Sequence, residues 1–303
     1  MIPRDRAARL RAAYRACRVI NARHGRSFYR ATSLLPPGRR PHVWALYAVA
    51  RRSDDLVDHP RIGTDPASSL RQWESQVSAA VADTALPADP VLVALRHTVH
   101  EFDIPAALFE DFFASMRRDL TTSRYERWDD LRDYMRGSAA AIGKMTAPIL
   151  GGDASSLPFA AALGEAFQLT NFIRDVAEDW QRGRIYLPLE DFRACDLTVD
   201  ELGNCVATGT STTALRRLVA LETTRARGLY DAAAPGLARV DAVVRPCLRA
   251  AFGLYSAILD AIERAGFEVC RGRTVVPTGR RALLVSRSVS PHTVRSSTAR
   301  TRW

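Results

Sequence analysis

The stretch Tyr47-Ala-Val-Ala-Arg51-Arg-Ser-Asp54-Asp55-Leu-Val-Asp58 gathers three carboxylates within five consecutive positions. In a helix, Tyr47, Arg51, Asp54, Asp55 and Asp58 form one polar stripe, and Ala45, Leu46, Val49, Leu56 and Val57 fall on the apolar side. Three like charges within two turns repel one another, so such a stripe turned into a protein interior needs a cation beside it. Oxygen-only donors with room for water and phosphate suit Mg2+, with Mn2+ as the alternative. A second stripe follows in Gln168-Leu-Thr-Asn171-Phe-Ile-Arg174-Asp175-Val-Ala-Glu178-Asp179. Gln168, Asn171, Asp175 and Asp179 recur at three and four residues, and Leu169, Phe172, Ile173 and Val176 form the apolar flank. Arg182-Gly-Arg184-Ile-Tyr-Leu-Pro188 comes next and brings guanidinium forks that match phosphate oxygens. One D-D-x-x-D alone reads as a solvated helix surface. Two such sets, each interleaved with arginine, read as facing walls for a metal ion and a diphosphate.

The elements that must position these walls are helices, because apolar residues recur at three and four positions almost throughout and alternating patterns are scarce. The spacing predicts an all-α chain with helices over 5–22, 41–58, 67–83, 89–102, 105–118, 128–150, 157–181, 198–207, 211–232 and 238–264. Pro36-Pro37-Gly38 and Gly151-Gly152-Asp153 punctuate it. No internal repeat or long linker divides the body. Residues 1–275 read as one helical domain, and 276–303 as a basic, mobile tail without helical periodicity.

With 303 residues, 47% hydrophobic and 25% charged, the composition excludes a wholly disordered or collagenous chain. The net charge of +10 is uneven: residues 1–52 carry 13 Arg and one Asp, and residues 271–303 carry eight Arg and no acid. The body between is acidic, which argues against a nucleic-acid-binding face. Lys144 is the sole lysine. Five cysteines without C-x-x-C spacing read as reduced thiols. The start lacks the apolar stretch of a secretion signal, and no run approaches the roughly 18 apolar residues of a span. The expectation is a cytoplasmic protein whose basic segments touch the anionic inner face of the membrane. His97-x-x-His100-Glu101 lacks the order of a zinc protease motif and reads as an exposed helix face.

In ordered motifs across about residues 14–273, the chain resembles the phytoene/squalene synthase family of head-to-head prenyl transferases. The motifs are His24-Gly-Arg-Ser27-Phe-Tyr29, Leu34-Leu-Pro36, the Tyr47 to Asp58 stretch, Tyr134-Met-Arg-Gly137-Ser-Ala-Ala-Ala-Ile-Gly143, and Gln168 to Asp179 continued by Gly183-Arg-Ile-Tyr-Leu-Pro188. The resemblance implies a single helical bundle of the isoprenoid synthase type around a central cavity. It implies that Asp54, Asp58, Asn171, Asp175 and Asp179 hold Mg2+, and that His24, Ser27, Tyr47, Arg51, Gln168, Arg174, Arg184 and Tyr255 contact prenyl diphosphates. Arg271 or Arg273 would add a basic residue near the C-terminus. Tyr134 is the candidate for guiding the cation or relaying a proton; a plain hydrogen-bonded tyrosine is its other reading.

The wording is closest to the bacterial phytoene synthases. This implies condensation of two geranylgeranyl diphosphates through a cyclopropylcarbinyl diphosphate, in carotenoid biosynthesis, without NADPH. Squalene or dehydrosqualene synthesis from farnesyl diphosphate is the enzyme alternative, and a helical assembly factor of the same fold the non-enzyme one. A chain-elongating transferase or cyclase fits less well, since the second motif is not another D-D-x-x-D. Ala139-Ala-Ala-Ile-Gly143 departs from a frequent Ala-Gly-Thr-Val-Gly, and Ala177 from a frequent Gly; neither change removes a ligand.

Overall fold

A computed structural model describes residues 4–59 and 62–289. Three- and four-residue apolar spacing builds fifteen α-helices among these residues. The first six are α1 (Arg4–His24), α2 (Arg26–Thr32), α3 (Arg40–Asp58), α4 (Pro66–Val81), α5 (Pro90–Glu101) and α6 (Ala106–Asp119). Next, α7 (Trp128–Met135) runs through a π-helical turn (Arg136–Ala140) into α8 (Ala141–Ile149), and α9 (Leu157–Arg174) passes to α10 (Val176–Gln181). The rest are α11 (Leu189–Ala194), α12 (Val199–Thr208), α13 (Thr213–Ala233), α14 (Arg245–Arg264) and α15 (Thr278–Val289). The ends follow local chemistry: Asp65 and Asp89 cap α4 and α5, and Thr198 with Glu201 forms a capping box on α12.

Two apolar cores result. One centres on Leu70, Leu95, Phe112 and Phe113 of α4, α5 and α6, the other on Leu131, Leu169, Leu215 and Leu259 of α7, α9, α13 and α14. Phe167 on α9 and Leu248 on α14 pack against both, so these helices line the seam where a cavity lies. The seam is narrow between α8 and α9 because Gly143 has no side chain: a Cβ there would sit 2.1 Å from the Ala160 carbonyl oxygen. Helices α3, α8, α9 and α14 thus present inward faces to the same hollow.

Several expectations are corrected. The helix expected over 128–150 contains the π-turn, and the one expected over 157–181 breaks at Asp175, whose φ of −102° and ψ of 14° leave the helical region. The segment expected to be helical from 238 becomes a regular α-helix only at Arg245, after two short 3-10 turns. Residues 26–32 and 189–194 are helices too short for periodicity to register. The tail is helical over Thr278–Val289, where α15 packs on α14 and Arg280 Nη2 meets Asp260 Oδ2 at 2.5 Å. The segment is amphipathic, with Leu284 and Val285 packed against the cores, so the expectation of no helical periodicity is corrected; the expected mobile residues 290–303 lie outside the described ones.

The segment Ala242–Arg264, with a mean hydropathy of 1.3, is long and apolar enough to cross a membrane by length and composition, contrary to the sequence expectation. Its apolar residues include Ala250, Ile258 and Leu259, buried in the two cores. All five cysteines are free and buried. Within the His97 to Glu101 stretch, His97 is partly buried, its Nδ1 2.9 Å from the Tyr14 hydroxyl, while exposed His100 faces Asp83.

Candidate active site

The cavity at the seam measures about 810 Å³. Its polar head carries Tyr47, Arg51 and Asp54 from α3, Gln168, Asn171 and Arg174 from α9, Tyr255 from α14, and Arg273 from the segment before α15. Its body is apolar, walled by Phe28, Ile142, Leu163, Phe167, Leu248 and Ile258. Aromatic pairs stand where head meets body: Phe28 stacks on Tyr47 with centroids 5.6 Å apart, and Phe167 on Tyr255 at 4.3 Å.

Above the head the two acidic helices approach each other. Asp58, one turn beyond Asp54, is bound by Arg184, whose Nη1 lies 2.7 Å from its Oδ1. Arg184 is held by backbone bonding nearby: Ile185 N–H donates to the Ser123 carbonyl at 2.8 Å, and Arg124 and Ile185 form an isolated parallel bridge. Burial, reinforced by the charge of Asp58, pushes Asp54 up to about 8. Burial and Asp175 push Asp179 up to about 7, and Asp58 adds to that rise. The charge of Asp58 is thus felt by a carboxylate on each wall, as walls sharing one hollow require.

Arginines neutralise part of this charge. Arg174 grips Asp175 with Nε at 2.7 Å and Nη2 at 2.5 Å, and Arg273 Nη2 reaches the same carboxylate at 3.0 Å. Arg51 pairs with Asp55 at 2.5 Å, one position from the cavity-lining Asp54. Both C-terminal candidates are exposed, and of the two Arg273 lines the cavity whereas Arg271 does not. His24 is exposed at the mouth. The side chain of Ser27 lies outside the described residues. Glu178 is partly buried and acts electrostatically on Arg174.

Tyr134 is buried beneath the acidic wall and is not part of the cavity lining. Its hydroxyl donates to Asp119 Oδ2 at 2.6 Å. Asp119, the last residue of α6, is a site carboxylate that sequence reasoning missed: Arg117-Arg118-Asp119 shows no motif spacing, and only the fold delivers it. Burial raises its acid form to about 6, against the lowering effect of Tyr134 and Arg184, and its Oδ1 is buried without a hydrogen-bond partner. Tyr125 and Tyr186 stand around Tyr134, with ring centroids 5.4 and 6.0 Å from it.

These residues fit Mg2+ by donor chemistry and by charge. The donors are oxygens, and Asp54, Asp179 and Asp119 are raised chiefly by burial, with the charges of neighbouring aspartates adding to the rise, so a cation beside them favours their ionised form. Among the described residues no group of three His, Cys, Asp or Glu side chains converges tightly enough to hold an ion unaided. An ion here would share its coordination sphere with ligand oxygens, as Mg2+ bound to phosphate does.

Residues 21–281 match the Squalene/phytoene synthase family. The 15-cis-phytoene synthase of Synechocystis sp. is 36% identical over 289 residues, which cover 91% of this chain and 84% of that protein. Among solved structures, a dehydrosqualene synthase in complex with ligand superposes with a TM-score of 0.85 at 30% identity, covering 92% of this chain and 96% of that one. The squalene synthase HpnC from Alicyclobacillus acidocaldarius gives a TM-score of 0.77 at 30% identity, covering 86% and 96%. A match that spans the acidic walls and the cavity between them, in sequence and in fold, leads to one conclusion: the chain belongs to the squalene/phytoene synthase family.

Proposed function

We propose that the chain is a prenyl transferase that joins two geranylgeranyl diphosphates head to head to give phytoene, in carotenoid biosynthesis. The observation that carries this reading is the meeting of two polar helices at the head of an apolar cavity: Asp54 of α3 and Asn171 of α9 line it together, and Arg184, just beyond α10, binds Asp58 at 2.7 Å. The phytoene synthase relative supports the product.

In this reading Asp54, Asp58, Asn171, Asp175 and Asp179 hold Mg2+, or Mn2+ in its place. The bound ion supplies Lewis acidity that favours departure of diphosphate. His24, Ser27, Arg51, Gln168, Arg174, Arg184 and Arg273 bind and orient the two diphosphates through guanidinium forks and polar side chains. The acceptor double bond attacks the allylic cation of the donor, and proton loss closes a cyclopropylcarbinyl diphosphate. Its ionisation and rearrangement join the two C1 carbons, and a second proton loss ends the sequence. The apolar body excludes water from both cations. The stacked faces of Tyr47 and Tyr255 offer π density to positive charge. Tyr134 and Asp119 hold a proton beside the diphosphate site, with Asp119 accepting from the tyrosine hydroxyl.

The test is incubation of the protein with Mg2+ and farnesyl or geranylgeranyl diphosphate, with and without NADPH. A C40 hydrocarbon formed without NADPH supports the reading. A C30 product from farnesyl diphosphate alone would move the protein to the dehydrosqualene type, the second reading favoured by its structural neighbour.

We also propose peripheral contact with anionic lipid on the cytoplasmic side of a membrane. Residues 271–289 carry five Arg and no acid, and Val275, Leu283 and Val289 among them are exposed. Vesicle co-sedimentation should weaken when residues 277–303 are deleted; unchanged binding would remove that segment from the contact.

A further inference from the structure

Asn171 at the polar head and Phe159 in the first turn of α9 line the same cavity and belong to the same unbroken helix. They are 12 residues apart, and at 1.5 Å per residue about 18 Å of helix separates them. An extended chain advances about 1.1–1.2 Å per bond, judged from the ~3.3–3.6 Å that three backbone bonds span. The roughly fifteen main-chain bonds of a geranylgeranyl group then reach about 17–18 Å, and the roughly eleven of a farnesyl group about 12–13 Å.

Phe159 is held in place from two sides. Gly236 lies so close that a Cβ on it would sit 2.3 Å from Phe159 Cβ, so the backbone after α13 packs directly against the aromatic residue. The Arg239 guanidinium carbon lies 5.2 Å from the ring centroid, and Arg239 Nη1 donates to Ser155 Oγ at 2.9 Å. The turn that carries Gly236 and Arg239 is itself tied down. Asp241 N–H donates to the Leu150 carbonyl at 3.1 Å, and Arg39 binds the Asp241 carboxylate at 2.5 Å. An aromatic ring braced in this way cannot swing aside without breaking those contacts.

Resting on the prenyl transferase reading above, we infer that Phe159 is the end-stop of the hydrocarbon channel and makes this chain selective for C20 prenyl diphosphates. A fifth isoprene unit would run into the ring. A C15 tail would leave about 5 Å of the apolar channel unfilled, which forfeits packing contacts without a clash.

The experiment presents the purified full chain with farnesyl, geranylgeranyl and geranylfarnesyl diphosphates in competition, with Mg2+, and identifies the hydrocarbons by mass. Phe159→Ala should raise the kcat/KM ratio of C25 to C20 substrate by about tenfold or more, the scale of discrimination an apolar pocket achieves through small changes of volume. Phe159→Trp should shorten the channel and raise the ratio of C15 to C20. Arg239→Ala, which uncaps the ring from outside, should move the C25 ratio in the same direction as Phe159→Ala but less far. Thermal melts verify that each variant is folded, and the three variants act independently, so loss of one leaves the others to decide. Ratios within twofold of the wild type in the folded variants would overturn the end-stop. A wild-type chain that converts none of the three substrates would instead sink the prenyl transferase reading on which the inference rests.

Discussion

Arg184 reaches from the loop after α10 to Asp58 on α3, its Nη1 2.7 Å from the carboxylate oxygen, and the same guanidinium lowers the acids of both Asp119 and Asp179. One cation therefore serves carboxylates from three different helices. Its own proton is held more firmly than usual by Tyr186, Asp58 and Asp119, against the opposing effect of burial.

Removing that cation leaves largely buried acids facing one another. Arg184→Gln should destabilise the metal-free protein by about 3 kcal/mol, the scale for breaking a buried pair from one side, or roughly 6 °C in Tm. Added Mg2+ should recover part of the loss. Calorimetry with and without Mg2+ checks this; an unchanged melting temperature would mean that the pair is solvated and incidental.

The pH dependence has a defined sign. Unfolded aspartates titrate at about 3.9. In the folded chain Asp54 is pushed up to about 8, Asp179 to about 7 and Asp119 to about 6, chiefly by burial. Between these limits the folded state binds more protons than the unfolded one. The stability these groups contribute is therefore fully present below about pH 4 and is lost as pH rises through about 6 to 8. Mg2+ binding must expel the protons of its proposed ligands Asp54 and Asp179. The Mg2+-induced rise in Tm should be larger at pH 8 than at pH 6, and titration calorimetry in buffers of different ionisation heat should register proton release. A rise independent of pH would contradict the placement of these acids around the ion.

Asp54→Asn and Asp175→Asn should each lower turnover by about 10³, the upper scale for losing one electrostatic contact to the developing charge, while helicity is retained. For Asp54 the two readouts should diverge. Removing one charge from a repulsive cluster should raise the melting temperature of metal-free protein at pH 8 even as activity is lost. Circular dichroism melts beside product assays test this. Full turnover in either variant would remove that residue from the site.

Tyr134 and Asp119 should behave as one unit, because the tyrosine hydroxyl donates to the carboxylate at 2.6 Å. Tyr134→Phe should lower kcat by about 10² or more with little change in KM, on the scale of a lost proton-transfer group. Adding Asp119→Asn should cost much less than its single effect, with a coupling of about 1–3 kcal/mol in a double-mutant cycle. Additive effects would assign the two residues separate tasks.

The helical class and the two polar stripes are legible in the sequence because they depend on local spacing, whereas His24, Ser27 and Tyr255 are singled out only by the family resemblance. Asp54 and Asp58 lie on one helix face by periodicity alone, and Asn171 and Gln168 share another. What periodicity cannot supply is the distance between stripes. The reach of Arg184 to Asp58 spans 126 positions of chain and depends on the Ile185 to Ser123 hydrogen bond, a contact with no local signature. Asp119 enters the site only because α6 ends beside Tyr134, and Arg273 rather than Arg271 meets Asp175 because of the path taken before α15. The break at Asp175, held by Arg174 and Arg273, also lies beyond local reading. Residue types and spacing thus determined which chemistry this chain carries. The tertiary structure decided which acids share a field, which arginine answers each, and how deep the hydrocarbon channel runs, because electrostatic coupling and steric closure depend on distance in space rather than along the chain.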